Sequence, residues 1–192
     1  MTEQDIKQEH SHRGKPVDPR RDVAGACEEA AAALGGAVAL GTGLSEDVVR
    51  LLVRVQNDLV DVGADLRLPS GSEPSAVRLD EGYVQRVEHA CDHFDVVLPD
   101  SSNLVVPGGT PIAAALHQAR TVVDRAERVA EAAGDVVSAL ALTYLDHLRQ
   151  LLLILARGAN VEHGDTIWQP GLSGSLGGAE LWEPAPESER GG

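Results

Sequence analysis

Apolar residues along the chain recur at helical spacing in five blocks, separated by glycine, proline and polar residues. Over 22–40, Cys27, Ala30, Leu34, Ala37 and Val38 form the apolar stripe, and Gly41-Thr42-Gly43 ends it. Ser45 can cap a second block over 45–63, where Val48, Leu52, Val55, Leu59 and Val62 recur at spacings of 4, 3, 4 and 3. A turn-rich connector over 69–75 leads to a third block over 80–96, with Tyr83, Val87, Cys91 and Phe94 on the inner face. The fourth follows Pro107-Gly108-Gly109-Thr110-Pro111 and runs to about residue 131. Thr110 can accept a backbone N–H at its start, and Pro111 suits the first helical position. Ile112, Leu116, Ala119, Val123, Ala126 and Ala130 form its apolar face. The fifth, over 136–160, is the most apolar. Tyr144, Leu151 and Ile154 widen the stripe made by Ala141, Leu145, Leu148, Leu152, Leu155 and Ala159. This pattern predicts an all-α fold, a five-helix bundle. The width of the last stripe predicts a subunit interface.

Composition refines that picture. The chain has 192 residues, which suits one domain with tails: a disordered arm over 1–21, the bundle over 22–171 and a flexible tail over 172–192. Aromatic residues make up 3%, a composition suited to close helix contacts through small side chains rather than to a β fold. A net charge of −14 excludes a binder of nucleic-acid phosphates, which needs a basic surface. The sequence has no run read as a membrane span and no signal-peptide pattern, so the expectation is a soluble, cytoplasmic protein without a membrane partner. Cys27 and Cys91 read as reduced, buried thiols. His10 with His12, and His89 with Asp92 and His93, lack the further ligands a metal site needs and read as solvated groups; no metal site is expected.

The fourth block also carries a charged stripe: His117, Arg120, Asp124, Glu127 and Glu131 recur at spacings of 3, 4, 3 and 4. Such a stripe reads as a solvated face with i,i+4 pairs, Arg120 with Asp124 and Asp124 with Arg128.

Four ordered stretches give the stripe a second meaning. They are Gln56-Asn57-Asp58-Leu59 with Gly63-Ala64-Asp65-Leu66; Val106-Pro107-Gly108-Gly109-Thr110-Pro111; Ala119-Arg120-Thr121-Val122 with Arg125-Ala126-Glu127-Arg128; and Leu155-Ala156-Arg157 with Ala159-Asn160. With the closing Ile167-Trp168-Gln169-Pro170-Gly171, they resemble the PduO-type ATP:cob(I)alamin adenosyltransferases over about residues 22–171. That resemblance implies a homotrimer of five-helix bundles. It implies transfer of the 5′-deoxyadenosyl group of ATP to Co(I) of a corrinoid, with Mg2+ accompanying ATP and a corrinoid-dependent enzyme receiving the product. Its chemistry is mainly placement and electrostatic stabilisation of the departing triphosphate.

Carried over residue by residue, the resemblance nominates Arg120, Arg125 and Glu127 as catalytic. It assigns the nucleotide to Arg120, Arg125 and Asn160, and the corrinoid to Glu28, Leu104, Val105 and Arg157. It also implies an ion pair between Arg120 and Glu28 within one subunit. Several positions depart from the family pattern. Asp124 stands where the family has a phosphate-binding Arg, and Leu104 where it has the aromatic residue that displaces the corrinoid's lower ligand. Ala31 replaces an Asn, and Asp146, Arg149 and Gln150 replace Asn, Ser and Asp. The family's Thr-x-x-Gly-Asp-x-Gly phosphate loop has no counterpart in 1–21, where Ser11, Arg13, Gly14 and Lys15 are the nearest chemistry. The expectation is a corrinoid-binding protein with a degenerate ATP site and weak or no adenosyl transfer. The alternatives are an active corrinoid adenosyltransferase and a purely structural trimeric bundle.

Overall fold

A computed structural model describes residues 18–67, 78–95 and 104–172. Five α-helices occur among them: α1 (Pro19–Ala39), α2 (Glu46–Arg67), α3 (Glu81–Asp95), α4 (Pro111–Ala133) and α5 (Ala139–Gly158). The expected all-α five-helix fold is therefore what forms. Residues 1–17 of the expected arm, the 69–75 connector and residues 173–192 of the expected tail lie outside the described residues.

Local chemistry sets the helix ends. α1 begins earlier than the arm boundary at 21 allows, because Asp18 accepts from Arg20 N at 3.1 Å and Pro19 opens the first turn. α2 starts where Ser45 Oγ accepts from Val48 N at 3.3 Å. It continues past the expected stop at Gly63, whose bare Cα faces the Ala24 backbone of α1 and permits close packing there. Thr110 caps α4 by accepting from Ala113 N at 3.2 Å. Gly134, at φ +63, ends α4 and opens a short 3-10 turn, Gly134–Val136. α5 consequently begins later than expected, after Ser138, which accepts from Ala141 N at 3.2 Å.

The helices close into a ring. α1 packs on α2 and α4, α4 on α5, and α5 on α3. The remaining side, between α3 and α2, is joined by polar groups. Tyr83 donates to Asp61 at 3.0 Å, and Arg86 lies 3.3 Å from Asp58 with its guanidinium 4.5 Å above the Tyr83 ring. Tyr144 of α5 donates its hydroxyl to the same Asp58 at 3.4 Å from inside the core. Burial lifts the Asp58 carboxyl above the usual aspartate range, against the opposing charge and hydrogen bond of Arg86.

α5 supplies many of the bulkiest core side chains. Tyr144, Leu145, Leu148, Leu151 and Leu152 are all fully buried, and each buried leucine is worth about 1.5–3 kcal/mol. The extra width of its stripe is thus used within one chain by Tyr144 and Leu151, because α5 is flanked by α3 as well as α4. By length and composition α5 could also cross a membrane, a correction to the reading of the sequence; a bundle's core helix passes the same test. Cys27 is buried and free, its thiol pushed up to about 12 by burial. Cys91 is half-buried and free, its thiol pushed up to about 11 mainly by burial.

Candidate functional site along the α4 and α5 pair

The antiparallel α4–α5 pair carries most of the nominated residues, and it is tied at one end by a polar knot. Asn160, 2% exposed, lies just beyond α5. Its carbonyl oxygen accepts from Thr110 N at 3.0 Å, and its amide donates to Gly108 O at 3.0 Å and Asp165 Oδ1 at 3.1 Å. Thr110 Oγ1 donates to Ala159 O at 3.2 Å. Arg157 Nε meets Asp165 Oδ2 at 3.2 Å, with both side chains largely buried. Gly109 must be glycine here: its φ is +94, and a Cβ would stand 2.2 Å from Asn160 Oδ1. Just outside the knot, Val105 and Ile167 form an antiparallel bridge, with Val106 N donating to Thr166 O and Trp168 N to Leu104 O, each at 2.8 Å. In this register Leu104 and Trp168 are opposite each other on one face of the bridge. Both side chains are exposed, at 66% and 52%.

Along α4 away from the knot, the expected solvated stripe is only partly solvated. His117 is 2% exposed and Arg120 half-buried, because this face turns toward the α5 side of the bundle. Burial holds the His117 imidazole below its ordinary value; Arg120 adds to that effect and Asp165 opposes it. Asp124 pairs with Arg128 at 3.1 Å, as the spacing suggests. Glu127 accepts from Arg149 Nε at 3.1 Å, and Asp146 takes the other side of that guanidinium at 2.5 Å. Two carboxylates thus share one cation. Burial works against the Arg149 charge, but these two acids outweigh it and hold its pKa above the ordinary value. Burial lifts Glu127, with Arg149 opposing.

The implied Arg120–Glu28 pair does not form. Glu28 instead meets Arg67 of α2 at 2.5 Å, with both side chains about half exposed. Its neighbour Glu29 pairs with Arg125. The reason is register. The Arg125–Glu29 contact sets α1 against α4, antiparallel, so Arg120 lies level with about residue 34 of α1. At 1.5 Å per residue this leaves Arg120 roughly 9 Å along the axis from Glu28. Arg120 Nε is buried with no hydrogen-bond partner among the described residues.

Among the nominated residues, Asn160, Arg157, Leu104 and Val105 therefore meet at the knot end. Arg120 and Glu127 follow along α4, Arg125 turns to α1, and Glu28 sits apart on the α1–α2 side. Sequence reasoning missed Asp165, which bridges Arg157 and Asn160, and the burial of His117. Asp165 had no helical periodicity to mark it. The described residues contain no group of three or more His, Cys, Asp or Glu placed to hold a metal ion.

Comparison with known proteins gives this arrangement a family. A corrinoid adenosyltransferase of Mycobacterium tuberculosis is 46% identical over 151 residues, 76% of this chain and 77% of that protein. A corrinoid adenosyltransferase of Mycobacterium leprae is 42% identical over 154 residues, covering 76% of this chain and 80% of its own. A variant PduO-type ATP:corrinoid adenosyltransferase from Lactobacillus reuteri, complexed with cobalamin and ATP, superposes with a TM-score of 0.72 at 27% identity, over 80% of this chain and 85% of that one. The family model for cobalamin adenosyltransferase matches residues 9–159, so family similarity begins within the expected N-terminal arm. With the α4–α5 pair, its knot and its arginines in that frame, the chain belongs to the cobalamin adenosyltransferase family.

Proposed function

We propose that this chain binds a corrinoid on the family scaffold and carries out adenosyl transfer from ATP weakly or not at all. The observation that carries the reading is the commitment of the α4 cations. Asp124 stands one turn after Arg120 and is paired with Arg128, while Arg125 is paired with Glu29. Arg149, opposite on α5, already serves Glu127 and Asp146. Among the described α4 arginines, Arg120 is the one outside these ion pairs. A departing triphosphate needs several cations, and a carboxylate about 4 Å from it would oppose binding by roughly 4 kcal/mol at an effective dielectric near 20. In this reading Arg120 would meet the nucleotide and Asn160 would shape the site from within the knot, with Arg125 and Glu127 completing the face once their present pairs rearrange.

Corrinoid binding draws on different chemistry. The exposed apolar face of Leu104 and Trp168 beside the knot offers surface for a large, flat macrocycle. Arg157 and Val105 lie behind it at the same end of the bundle. Glu28, held by Arg67 on the far side of α1, would reach a corrinoid only as a neighbouring subunit's group. We also propose a homotrimer with its ligands between subunits and a corrinoid-dependent enzyme as the recipient. Exposed Val53, Val60 and Leu153 support buried contacts between copies. Light scattering that gave a monomer at micromolar concentration would overturn that assembly.

An adenosylation assay with cob(I)alamin and Mg-ATP tests the main reading, on the natural protein and on Asp124→Arg. The expected result is slow or absent turnover, raised by Asp124→Arg, with cobalamin binding intact in both. The second reading, an active corrinoid adenosyltransferase, is favoured by the 46% identity to a protein of that name. Turnover near 1 per second by the natural protein would establish it and overturn the first.

A further inference from the structure

Three orphan nitrogens sit together on α4. His117 is buried, yet neither Nδ1 nor Nε2 has a hydrogen-bond partner among the described residues. Arg120, three residues later and on the same helix face, has its Nε buried and likewise unpartnered. Buried polar atoms in folded proteins are nearly always paired, with protein or with an ordered water. Here the deficits are complementary. Arg120 Nε offers a donor, and a neutral imidazole offers one acceptor and one donor.

A third group completes the set. Asp165 acts electrostatically on His117. Its oxygens accept from Arg157 Nε at 3.2 Å and Asn160 Nδ2 at 3.1 Å, and a carboxylate has lone pairs beyond these two bonds. Asp165 belongs to the knot, whereas Arg120 is the arginine left outside the α4 ion pairs.

We propose that His117 is a positioning residue. Through one buried water it receives the Arg120 Nε–H, and through a second water its own N–H reaches the Asp165 carboxylate. The guanidinium of Arg120 is thereby oriented from the Thr110–Asn160–Asp165 knot, and its terminal nitrogens are left free for an anionic ligand. The proposal rests on the reading of Arg120 as the ligand-facing arginine. A water can carry such a link because it accepts from one group and donates to the other, and the buried, unpartnered nitrogens supply the polar partners it needs.

The test uses nitrogen-15 NMR of the full chain with neither nucleotide nor corrinoid present. Long-range correlations of the imidazole report its tautomer, and the Arg120 Nε–H resonance reports exchange with solvent. The expected result at pH 7 is a single neutral His117 tautomer and an Arg120 Nε–H protected at least about tenfold relative to exposed Arg50. His117→Gln, whose amide both accepts and donates, should retain that protection. His117→Leu should lose it while the protein still melts cooperatively. A rapidly averaging or protonated imidazole, or Arg120 protection unchanged by His117→Leu, would overturn the proposal. If His117→Leu fails to fold, Asp165→Ala is the second variant: it removes the acceptor and should mix the two His117 tautomers, and an unchanged single tautomer would overturn the link. These readouts involve no adenosyl transfer, so their failure is distinguishable from failure of the functional reading.

Discussion

The N-terminal end of α4 and the stretch beyond it treat their polar groups in opposite ways. At its N-terminal end, Thr110, Asn160, Asp165 and Arg157 satisfy one another through short bonds in a mostly buried knot. Further along, Arg125 and Arg128 make half-exposed ion pairs, and His117 and Arg120 keep buried nitrogens without partners. A polar group placed for folding is paired within the chain. On the proposed reading, one placed for a ligand is left with capacity to spare. The difference predicts where mutation will cost stability and where it will cost binding.

Gly109→Ala should break the contrast most severely. It adds a Cβ at 2.2 Å from Asn160 and forces a side chain onto a backbone at φ +94. Left-handed strain and overpacking each cost about 1–3 kcal/mol, so a loss of roughly 2–6 kcal/mol is expected in urea unfolding. A change under about 1 kcal/mol would mean the knot is looser than described. Asn160→Leu comes next. It removes both sides of the junction and leaves Thr110 N–H and Gly108 C=O without Asn160, at about 1–3 kcal/mol for two part-buried groups. Hydrogen exchange at the Thr110 amide should accelerate with it, and an unchanged rate would place the junction's strength elsewhere.

A buried carboxylate on another side of the ring sharpens the comparison through pH. The folded-state pKa of Asp58 is raised, chiefly by burial, so the folded protein holds that proton more tightly than the unfolded chain. Its contribution to stability is fullest below the ordinary aspartate value near 4 and falls as pH rises through the folded pKa. Relative to Asp58→Asn, the natural protein should therefore gain stability as pH falls from 7 toward 4. A flat difference between the two urea midpoints across that range would remove the effect. The smallest change is expected at Glu28→Gln. Its pair with Arg67 is half exposed on both sides, and such pairs contribute about 0–1 kcal/mol. A larger loss would mean that the α1–α2 face is covered in the assembled protein.

The helices were legible because each carries a 3.6-residue stripe and ends at a recognisable stop or cap. The later start of α5 was not, because Val136 and Val137 before Ser138 and Ala139 and Leu140 after it carry the apolar pattern across the boundary without marking it. Thr110 as a cap could be read from the sequence, and family resemblance singled out Asn160. Their joining through Asp165 could not, since a loop residue carries no periodicity. Glu28 and Glu29 show the same limit. Adjacent residues on a helix differ by about 100°, and the packing register decided which acid faced α4. The stripe from His117 to Glu131 had the spacing of a solvated face, yet spacing alone could not reveal that His117 turns inward.

The bridge between Val105 and Ile167 ties the ends of a chain loop of about 60 residues with two backbone hydrogen bonds. Its order of formation follows from that loop length. The α4–α5 pair can assemble from contacts close in sequence, whereas the bridge must wait until both helices are seated. The same arithmetic makes it the easiest joint to reopen in the folded protein. The amides of Val106 and Trp168 should exchange with solvent through a local opening that leaves the helices intact. The segment carrying Trp168 would then come and go on a shorter clock than the bundle it rests against.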